Sequence, residues 1–373
     1  MSAILHWAMG LLSALVAWKI RKRNIGLSLV TIGTGLLIAL AAGDYSVEAN
    51  GLGGWVERLK FSTSGGLTDR LLAAAVYLAI IVIGTGLALI VHGYLKAQRE
   101  TDSRRIAVLE LRGLVDTSDT PLINAVPAKY RGRKEDCLVD LRSLLASKTP
   151  DVQGAIVELA HIPRQLRRVR GDSTRGNVQV VAGGVMQVPL LFYTGVLLDD
   201  EGQVALMDWE RVDSTWAELG EVDSGQRFSI DGLEKVVTGG PVVLAISASY
   251  IVEFSDIAKT FPSLPLVHLA RPNPKVNKLW SEDEQKELAR QFLDVLCSLK
   301  SANVTMVHLV LAAPTTLAIR FGKHYDVRNM PPIRCYHWER NQSPPYPWCV
   351  EMPTDSSSQA RHINQTTALP TAL

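Results

Sequence analysis

A short stretch, residues 313–316, carries groups that can bind an anion. It reads Ala-Pro-Thr-Thr and follows the apolar run of residues 307–312. Apolar residues at helical spacing continue after it, so the pattern predicts a buried strand that leads into the first turn of a helix. Pro314 suits a first helical position, where a missing N–H costs nothing. The N–H groups and hydroxyls of Thr315 and Thr316, together with the helix dipole, can therefore hold an anionic group.

Polar residues also stand at the end of a second predicted strand, residues 242–247. Ser247 and Ser249 lie there, and ligands of open α/β sheets bind beyond the carboxyl ends of the strands. We therefore expect both serines to face the same ligand as residues 313–316. Ordinary helix caps and turns are the competing explanation, because Ser, Thr and Pro are common in such turns.

The elements that must position these residues begin near Arg105. From there short β-rich runs alternate with helical stretches, which predicts an α/β domain. Strands are predicted at residues 106–111, 155–160, 178–182, 204–209, 242–247, 266–269, 304–312 and 333–338, and helices at residues 133–147, 281–299 and 314–323. The clearest helix opens with Ser281 and, three residues later, Glu284, which is a capping-box pattern.

The order of these elements predicts two related halves. The alternation restarts after the Gly-Gly-Pro break at residues 239–241, so we place the halves at residues 105–239 and 240–352. The tail, residues 353–373, is rich in Ser, Thr and Gln and is predicted to be disordered.

Long apolar runs precede this domain and predict a transmembrane helical hairpin within residues 1–95, joined to it by a linker at residues 96–104. Residues 25–43 and 71–91 contain no charge and are each long enough to cross a bilayer. Residues 3–18 are shorter but lead into a basic cluster, so a third span is expected. The hairpin therefore has two or three helices.

The distribution of basic residues predicts the orientation of these spans. Lys19, Arg21, Lys22 and Arg23 crowd one short connection, and Lys96, Arg99, Arg104 and Arg105 follow the last span. The longer loop at residues 44–70 has fewer basic residues, so the positive-inside rule places residues 19–24 and everything after Lys96 in the cytoplasm. The uncharged spans lack the usual marker of a transport pathway, which argues against a pump or carrier.

The tetrapeptide IGTG occurs in both long spans, at residues 32–35 and 83–86. Glycine and threonine allow membrane helices to approach closely. Two interpretations stay open: these patches pack the helices of one hairpin, or they also form contacts between subunits.

Several functional classes are disfavoured by composition and motifs. A net charge of +2 argues against a protein that coats long nucleic acid. The four cysteines form no CxxC or Cys/His cluster, and P-loop, HExxH and GxSxG motifs are absent. We therefore predict no metal site, no cofactor and no catalytic residues, and hence no enzyme.

A group of arginines remains unassigned by these motifs. It can meet phosphate or anionic lipid, or it can be a solvated helix face. Its members are Arg164, Arg167, Arg168, Arg170 and Arg175.

Three segments resemble SAVED domains. Residues 304–340, VTMVHLVLAAPTTLAIRFGKHYDVRNMPPIRCYHWER, resemble the closing segment of that family, with its Ala-x-Pro turn and later Pro-x-x-x-x-Tyr strand, although Val310 replaces the usual aromatic. Residues 207–220, MDWERVDSTWAELG, resemble its Asp-x-x-Arg…Trp strand and turn. Residues 242–249, VVLAISAS, resemble the first strand of its second half. The resemblance covers residues 105–352.

The resemblance implies two CARF-like, Rossmann-related halves that together sense a cyclic oligonucleotide. The ligand would lie across the two halves at the carboxyl strand ends, on Ser247, Ser249, Ala313, Pro314, Thr315, Thr316 and Arg211. Candidates to stack on a nucleobase are Trp209, Trp280 and Trp338, and candidates to neutralise phosphates are Arg271, Lys275 and Lys278.

The family also implies a role in the cyclic-oligonucleotide-based antiphage signalling systems (CBASS) of bacteria, where SAVED domains are fused to varied effectors. We expect a multi-pass protein of the bacterial inner membrane with a cytoplasmic SAVED domain. A cyclic di-, tri- or tetranucleotide from a linked synthase would promote homo-oligomerisation, disruption of the lipid bilayer and abortive infection. The alternatives are a CARF-like enzyme that degrades the cyclic nucleotide and a membrane adaptor that binds another protein.

Overall fold

The chain folds into two compact units, Met1–Thr101 and Asp102–Leu373. The computed structural model describes residues 25–41, 47–52, 56–61, 69–147, 149–171, 178–354, 357 and 359–365. The span predicted at residues 3–18 lies outside the described residues.

The first unit contains two apolar helices and a β-hairpin. Its elements are α1 (Ile25–Ala41), β1 (Val47–Leu52), β2 (Val56–Phe61) and α2 (Asp69–Ser103). The strands β1 and β2 pair antiparallel.

One helix among the described residues is long and apolar enough to cross a membrane, namely the 24-residue stretch Ala73–Lys96 of α2. It contains the predicted span at residues 71–91 almost entirely. The other predicted span, residues 25–43, corresponds to α1, which has 17 residues and an apolar stretch of Ile25–Ile38. The predicted linker at residues 96–104 is mostly helical, because α2 continues to Ser103.

Glycines bring α1 and α2 into close contact. A Cβ atom on Gly86 would lie 2.6 Å from the backbone oxygen of Gly26, and a Cβ on Gly33 would lie 3.0 Å from a backbone oxygen of α2. Gly35 and Gly84, the other glycines of the two IGTG motifs, have no neighbouring atom within 4 Å of such a Cβ. The interpretation that these motifs pack one hairpin is therefore confirmed for Gly33 and Gly86.

The difference between Gly84 and Gly86 gives a matched test of this packing. Gly86→Val is expected to destabilise the hairpin by about 1–3 kcal/mol, the usual cost of overpacking. Gly84→Val adds the same side chain to the same helix, where the space is open, and should cost much less. Thermal unfolding of the full chain in detergent micelles measures both. Equal losses of stability would contradict a backbone contact at Gly86.

The second unit alternates strands and helices throughout. Its elements are β3 (Arg105–Arg112), α3 (Leu122–Ala125), β4 (Arg133–Asp140), α4 (Arg142–Leu145), α5 (Val152–Leu159), α6 (Ile162–Arg170), β5 (Val178–Val185), α7 (Val188–Leu197), β6 (Val204–Glu210), β7 (Thr215–Glu218), β8 (Ser229–Asp231), a 3₁₀ turn (Leu233–Lys235), β9 (Val242–Ser247), α8 (Phe254–Thr260), β10 (Leu266–Ala270), α9 (Glu282–Ser301), β11 (Val307–Ala312), α10 (Thr315–Lys323), β12 (Ile333–His337), β13 (Trp348–Glu351) and β14 (Arg361–Asn364).

These strands form two sheets, one for each predicted half. The first has the order β4-β3-β5-β6-β7, and the second has the order β14-β13-β12-β11-β9-β10-β8. The central strands of each sheet are parallel, as expected for an α/β fold. The pairing of β11 with β9 sets Ala312 opposite Ser247, so both predicted strand ends lie at one edge.

The boundary between the halves is earlier than predicted. Strand β8 pairs with β10 of the second sheet, so the change of sheet falls between Glu218 and Ser229 and not at residue 239. One large hydrophobic core nevertheless spans both halves and includes Leu109, Phe192, Leu244, Phe292 and Phe321.

The strand predicted at residues 155–160 is wrong, because this segment lies in helix α5. The Asp151 carboxylate accepts the N–H of Gly154 and caps the helix. The buried residues of α5 recur at helical spacing: Val152, Ala155, Ile156 and Leu159.

The helix predicted at residues 133–147 is also wrong for its first part, which forms strand β4. Cys137 and Val139 are buried and alternate with exposed neighbours, the period of a strand with one buried face. Only the short helix α4 follows it.

The C-terminal helices agree with prediction. In α9 the Ser281 hydroxyl accepts the N–H of Glu284 at 3.2 Å, and helix α10 has Pro314 as its N-cap, one position before the expected one. The predicted disorder of residues 353–373 is wrong for strand β14, which pairs antiparallel with β13. Residues 366–373 lie outside the described residues.

Candidate functional site

A cavity of about 640 Å³ opens at the carboxyl ends of strands from both sheets. The first half contributes residues that end or follow β5 and β6, and the second half contributes residues that end or follow β9, β11 and β12. Its volume lies within the range of small-molecule sites. Its position is the one in which open α/β sheets hold their ligands.

Most of the predicted site residues line this cavity. They are Arg211, Ser249, Trp280, Ala313, Pro314 and Thr315, and the wall also includes the predicted residues Trp209, Trp338 and Lys278. The structure thus brings together basic, hydroxyl and aromatic groups from both halves.

Ser247 lies outside the cavity wall and is 1% exposed. Its hydroxyl oxygen accepts the N–H of Val252 at 3.0 Å and lies 2.9 Å from Nε2 of His268. These bonds fix the turn after β9, so Ser247 positions the backbone of residues that do line the cavity.

Arg271 and Lys275 also lie outside the wall. The Arg271 side chain is 5% exposed, and its guanidinium forms an ion pair with Glu284 at 2.8 Å. Glu284 also accepts the hydroxyl of Ser224 at 2.6 Å. Its carboxylate therefore ties α9 to two loops, which explains why Arg271 is held away from the cavity.

Thr316 is fully buried behind the wall and links the two halves. Its hydroxyl donates to Oδ2 of Asp208 at 3.1 Å and accepts from the side-chain amide of Gln285 at 2.9 Å. Asp208 also accepts the backbone N–H of Thr316. A carboxylate from strand β6 of the first half thus caps helix α10 of the second.

Asp208 is a carboxylate of the cavity wall that accepts hydrogen bonds from within the protein. Burial raises the pKa of Asp208, and the hydrogen bonds from Trp209 and Thr316 oppose that rise. An acidic group of the first half therefore already lies at the start of α10, where the positive end of the helix dipole is located.

The helices α7 and α10 begin at the cavity and run side by side. Gly195 of α7 and Gly322 of α10 meet backbone to backbone, because a Cβ on Gly195 would lie 2.8 Å from the Cα of Gly322. At the far end, Lys323 Nζ donates to the carbonyl of Leu198 just after α7 at 3.0 Å. The helices are thus parallel, and both positive dipole ends point to the cavity. Such ends repel each other and favour an anion between them.

The loop between β10 and α9 forms one wall of the cavity. Asn277 adopts a left-handed conformation with φ 58°, which asparagine tolerates. Its side-chain amide donates to Glu210 of the first half at 2.6 Å, and its backbone oxygen accepts the indole N–H of Trp280 at 3.2 Å. These contacts position the Trp280 ring against the cavity.

Gln187 is a cavity residue that sequence reasoning missed. It is the N-cap of α7, and its buried Oε1 has no hydrogen-bond partner among the described residues. An acceptor of this kind gains from a ligand N–H, such as an exocyclic amine of a nucleobase. A sequence signal for this residue exists. Strand β5 is followed by a proline at the start of a helix, Pro189, just as β11 is followed by Pro314.

The charges in the wall are mixed, with Arg211, Lys278 and Arg340 set against Asp208 and Glu253. Within the described ranges, no group of three or more His, Cys, Asp or Glu residues could hold a metal ion. The arrangement suits binding of an anionic aromatic molecule by dipoles, arginine and tryptophan.

Buried histidines make the second unit sensitive to acid. Burial lowers the pKa of His337, in the cavity wall, and of His308 from 6.5 to about 4. The unfolded chain therefore binds more protons between these values, so stability falls as the pH drops from 6.5 towards 4.

For each of the two imidazoles, we expect the free energy of unfolding to fall by about 1–2 kcal/mol when the pH is lowered from 7 to 5. Denaturant unfolding of the full chain in micelles measures this loss. His308→Asn should remove the part of this pH-dependent loss that comes from one imidazole, because asparagine does not titrate. Its amide can still bond the hydroxyl of Tyr336, which lies 2.8 Å from Nδ1 of His308. An unchanged slope in this variant would contradict the assignment.

Comparison with known families decides the identity of the α/β unit. Residues 162–352 match the family model SAVED, described as the SMODS-associated and fused to various effectors sensor domain. The chain belongs to the SAVED family. Residues 3–155 match Saf_2TM, described as the SAVED-fused 2TM effector domain. The chain is thus a SAVED sensor joined to a two-transmembrane effector segment, which confirms the family and fold predicted from sequence.

The border between the two family models does not coincide with the border between the units. The effector match ends at residue 155, whereas the second unit begins at Asp102. Strands β3 and β4 of the first sheet therefore lie in the part of the chain that matches the effector model. The unit that folds around β3 is larger than the SAVED match.

Solved structures with the same domain were also found. The Acinetobacter baumannii Cap4 SAVED/CARF-domain containing receptor, with the cyclic trinucleotide 2'3'3'-cAAA or 3'3'3'-cAAA, shares 15% or 14% identity at TM-scores of 0.43 and 0.45. The Moraxella osloensis Cap4 receptor shares 13% at a TM-score of 0.44. Each alignment covers 76% of this chain, which spans only about 60% of those chains. No curated protein matches the chain.

Proposed function

We propose that the cavity binds a cyclic oligonucleotide second messenger and that the chain is the membrane-anchored effector of an antiphage system. The observation that carries this proposal is the cavity itself. It joins the carboxyl strand ends of both halves and places two helix N-termini beside Trp209, Trp280 and Trp338. Helix N-termini and Arg211 suit phosphates, and indole rings suit nucleobases. The similar Acinetobacter baumannii Cap4 receptor was solved with cyclic trinucleotides.

In this proposal the ligand acts by changing assembly. The effector lies in the bacterial inner membrane as a multi-pass protein with its SAVED unit in the cytoplasm, and a linked synthase supplies the ligand during infection. Ligand binding promotes homo-oligomerisation, and the clustered helices disrupt the bilayer and cause abortive infection. The ligand can drive this only by binding the assembled state more tightly than the free subunit.

The proposed site residues are those at the cavity: Arg211, Ser249, Trp280, Ala313, Pro314 and Thr315, with Gln187 added by the structure. Ser247, Arg271 and Thr316 act behind the wall through the contacts described above. Lys275 is exposed nearby and is proposed only as a distant phosphate partner.

The test titrates the full chain, held in lipid nanodiscs, with a panel of cyclic di-, tri- and tetranucleotides. Binding of one member, followed by larger cross-linked species and by dye leakage from vesicles that contain the protein, would support the proposal. Recovery of a linear product would instead indicate the degrading enzyme. A folded chain that binds no member would favour the adaptor alternative.

A further inference from the structure

A set of exposed arginines lies at the edge of the first sheet opposite the cavity. We call it the basic rim, and it comprises Arg104, Arg131, Arg133, Arg164, Arg167 and Arg168. The cavity lies at the carboxyl ends of the parallel strands, whereas the rim surrounds the amino ends of β3 and β4 and the helix α6. The two features are therefore separate.

Two hydrogen bonds, one from a side chain and one from the backbone, hold the segments that carry the rim at one edge. Arg105 Nη1 donates to the carbonyl of Val169 at 3.0 Å and so fixes the last turn of α6 at the amino end of β3. The N–H of Arg133 donates to the carbonyl of Arg104 at 3.0 Å and fixes the start of β4 at the same place. The last turn of α6 and the first residues of β3 and β4 therefore lie together at this edge.

The helix α6 presents its arginines outward because its apolar side is used by the core. Ile162 and Leu166 are buried, while Arg164, Arg167 and Arg168 are exposed. A basic amphipathic helix of this type can meet an anionic surface only through charge, since its apolar face is already covered.

Acidic partners do not neutralise these three arginines. Within the described parts of the chain, no ion pair includes Arg164, Arg167 or Arg168. The nearby acids are engaged elsewhere: Glu201 pairs with Arg170, and Glu158 lies 3.7 Å from Nδ1 of His161. Among the described residues, these three arginines of the rim therefore carry uncompensated positive charge, whereas Arg133 forms an ion pair with Glu135 at 3.0 Å.

Chain continuity limits the distance between Arg104, the first residue of the rim, and the apolar stretch of α2. The apolar stretch of α2 ends at Lys96, and the helix continues to Ser103, directly before Arg104. Eight residues of helix advance about 12 Å. The headgroup region adds about 5–8 Å to each side of the hydrocarbon core, and the field of an anionic surface extends about 8–10 Å further at moderate salt. Arg104 thus begins within reach of lipid headgroups.

We propose that the basic rim binds anionic phospholipid headgroups of the bilayer that holds α2. Guanidinium groups suit this ligand because they bond phosphate oxygens in pairs. The α/β unit would then rest on the membrane through the rim, with the cavity on its opposite edge. The inference rests on the membrane anchoring within the proposed function and goes beyond ligand sensing.

The experiment is an arginine footprint of the full chain in two kinds of nanodisc. One contains phosphatidylcholine alone, and the other contains an equal mixture of phosphatidylcholine and phosphatidylglycerol. Phenylglyoxal modification, read by mass spectrometry, should be about fivefold slower at Arg164, Arg167 and Arg168 in the anionic discs. High salt should abolish this protection. Arg290, exposed on α9 and paired with Glu287, is the internal control and should react equally in both discs.

A second variant keeps the proposal testable without relying on one readout. Replacing Arg164, Arg167 and Arg168 by glutamine removes three positive charges from exposed positions. In this variant we expect Arg131 to lose its protection by anionic lipid. Equal modification rates in the two discs, or protection that appears only with added cyclic nucleotide, would overturn the proposal. No cyclic nucleotide is needed for the footprint, so its failure is distinguishable from failure of the binding panel.

Discussion

Thr315→Glu is expected to weaken binding of the cyclic oligonucleotide by on the order of 100-fold. Thr315 is the first residue of α10 and lines the cavity. If a bound phosphate lies about 5 Å from a carboxylate there, the repulsion costs about 3 kcal/mol at an effective dielectric constant of about 20. The helix itself should not suffer, because an acid in its first turn favours the dipole.

Thr315→Gln is the matched control for this substitution. Glutamine has the shape of glutamate without its charge, so binding should fall far less. Isothermal titration of both variants in nanodiscs, with the thermal midpoint of each recorded, separates charge from shape and from misfolding. Similar losses in the two variants would show that the start of α10 does not contact a phosphate.

Gly322→Ala is expected to destabilise the α/β unit by at least about 3 kcal/mol, at the upper end of overpacking costs. Its new Cβ would lie 2.9 Å from the carbonyl carbon of Phe192 and 3.0 Å from the Cα of Gly195. Both neighbours are backbone, so a rotamer change cannot relieve the clash. The expected loss is notable because Ala normally favours a helix over Gly by about 1 kcal/mol.

Three further variants sharpen this prediction. Gly220→Ala adds the same methyl group where no atom lies within 4 Å and should be nearly neutral. Gly195→Ala should be as harmful as Gly322→Ala. The double variant should cost less than the sum, because one separation of the two helices relieves both clashes. Denaturant unfolding measures all four proteins, and full additivity would contradict a shared contact.

The sequence was sufficient to predict the architecture and much of the cavity. Buried parallel strands such as β9 and β11 are continuous apolar runs bounded by breaks, and this signal is local. The residues just after these strands, Ser249 and Thr315, were therefore placed correctly at a common edge. The predicted tryptophans also line the cavity.

The failures have a common physical origin in tertiary contacts. Arg271 was predicted to meet phosphate, but its partner Glu284 belongs to a helix whose position cannot be read from local pattern. Thr316 points to Asp208, a residue 108 positions earlier in the chain. Gln187 was missed for the same reason, since its role depends on how α7 lies beside α10.

The errors in secondary structure arose in short segments, where the spacing of apolar residues is compatible with both a helix and a strand. Segment 133–140 was predicted to begin a helix, yet alternate burial of Cys137 and Val139 makes it a strand. The apolar residues of α5 resembled a short buried strand until the cap at Asp151 fixed a helix. Runs of this length are ambiguous by periodicity alone.

The contact between Gly195 and Gly322 has a mechanical consequence. No side chain separates the two backbones there, so the helices approach closely at this point, and a tilt about it would leave the contact in place. From Gly195 back to Val188 at the cavity, the lever arm is about 10 Å. A tilt of about ten degrees would therefore move the start of one helix by about 2 Å relative to the other. The pair would act as a pivot that widens or narrows the cavity mouth while the shared core stays closed.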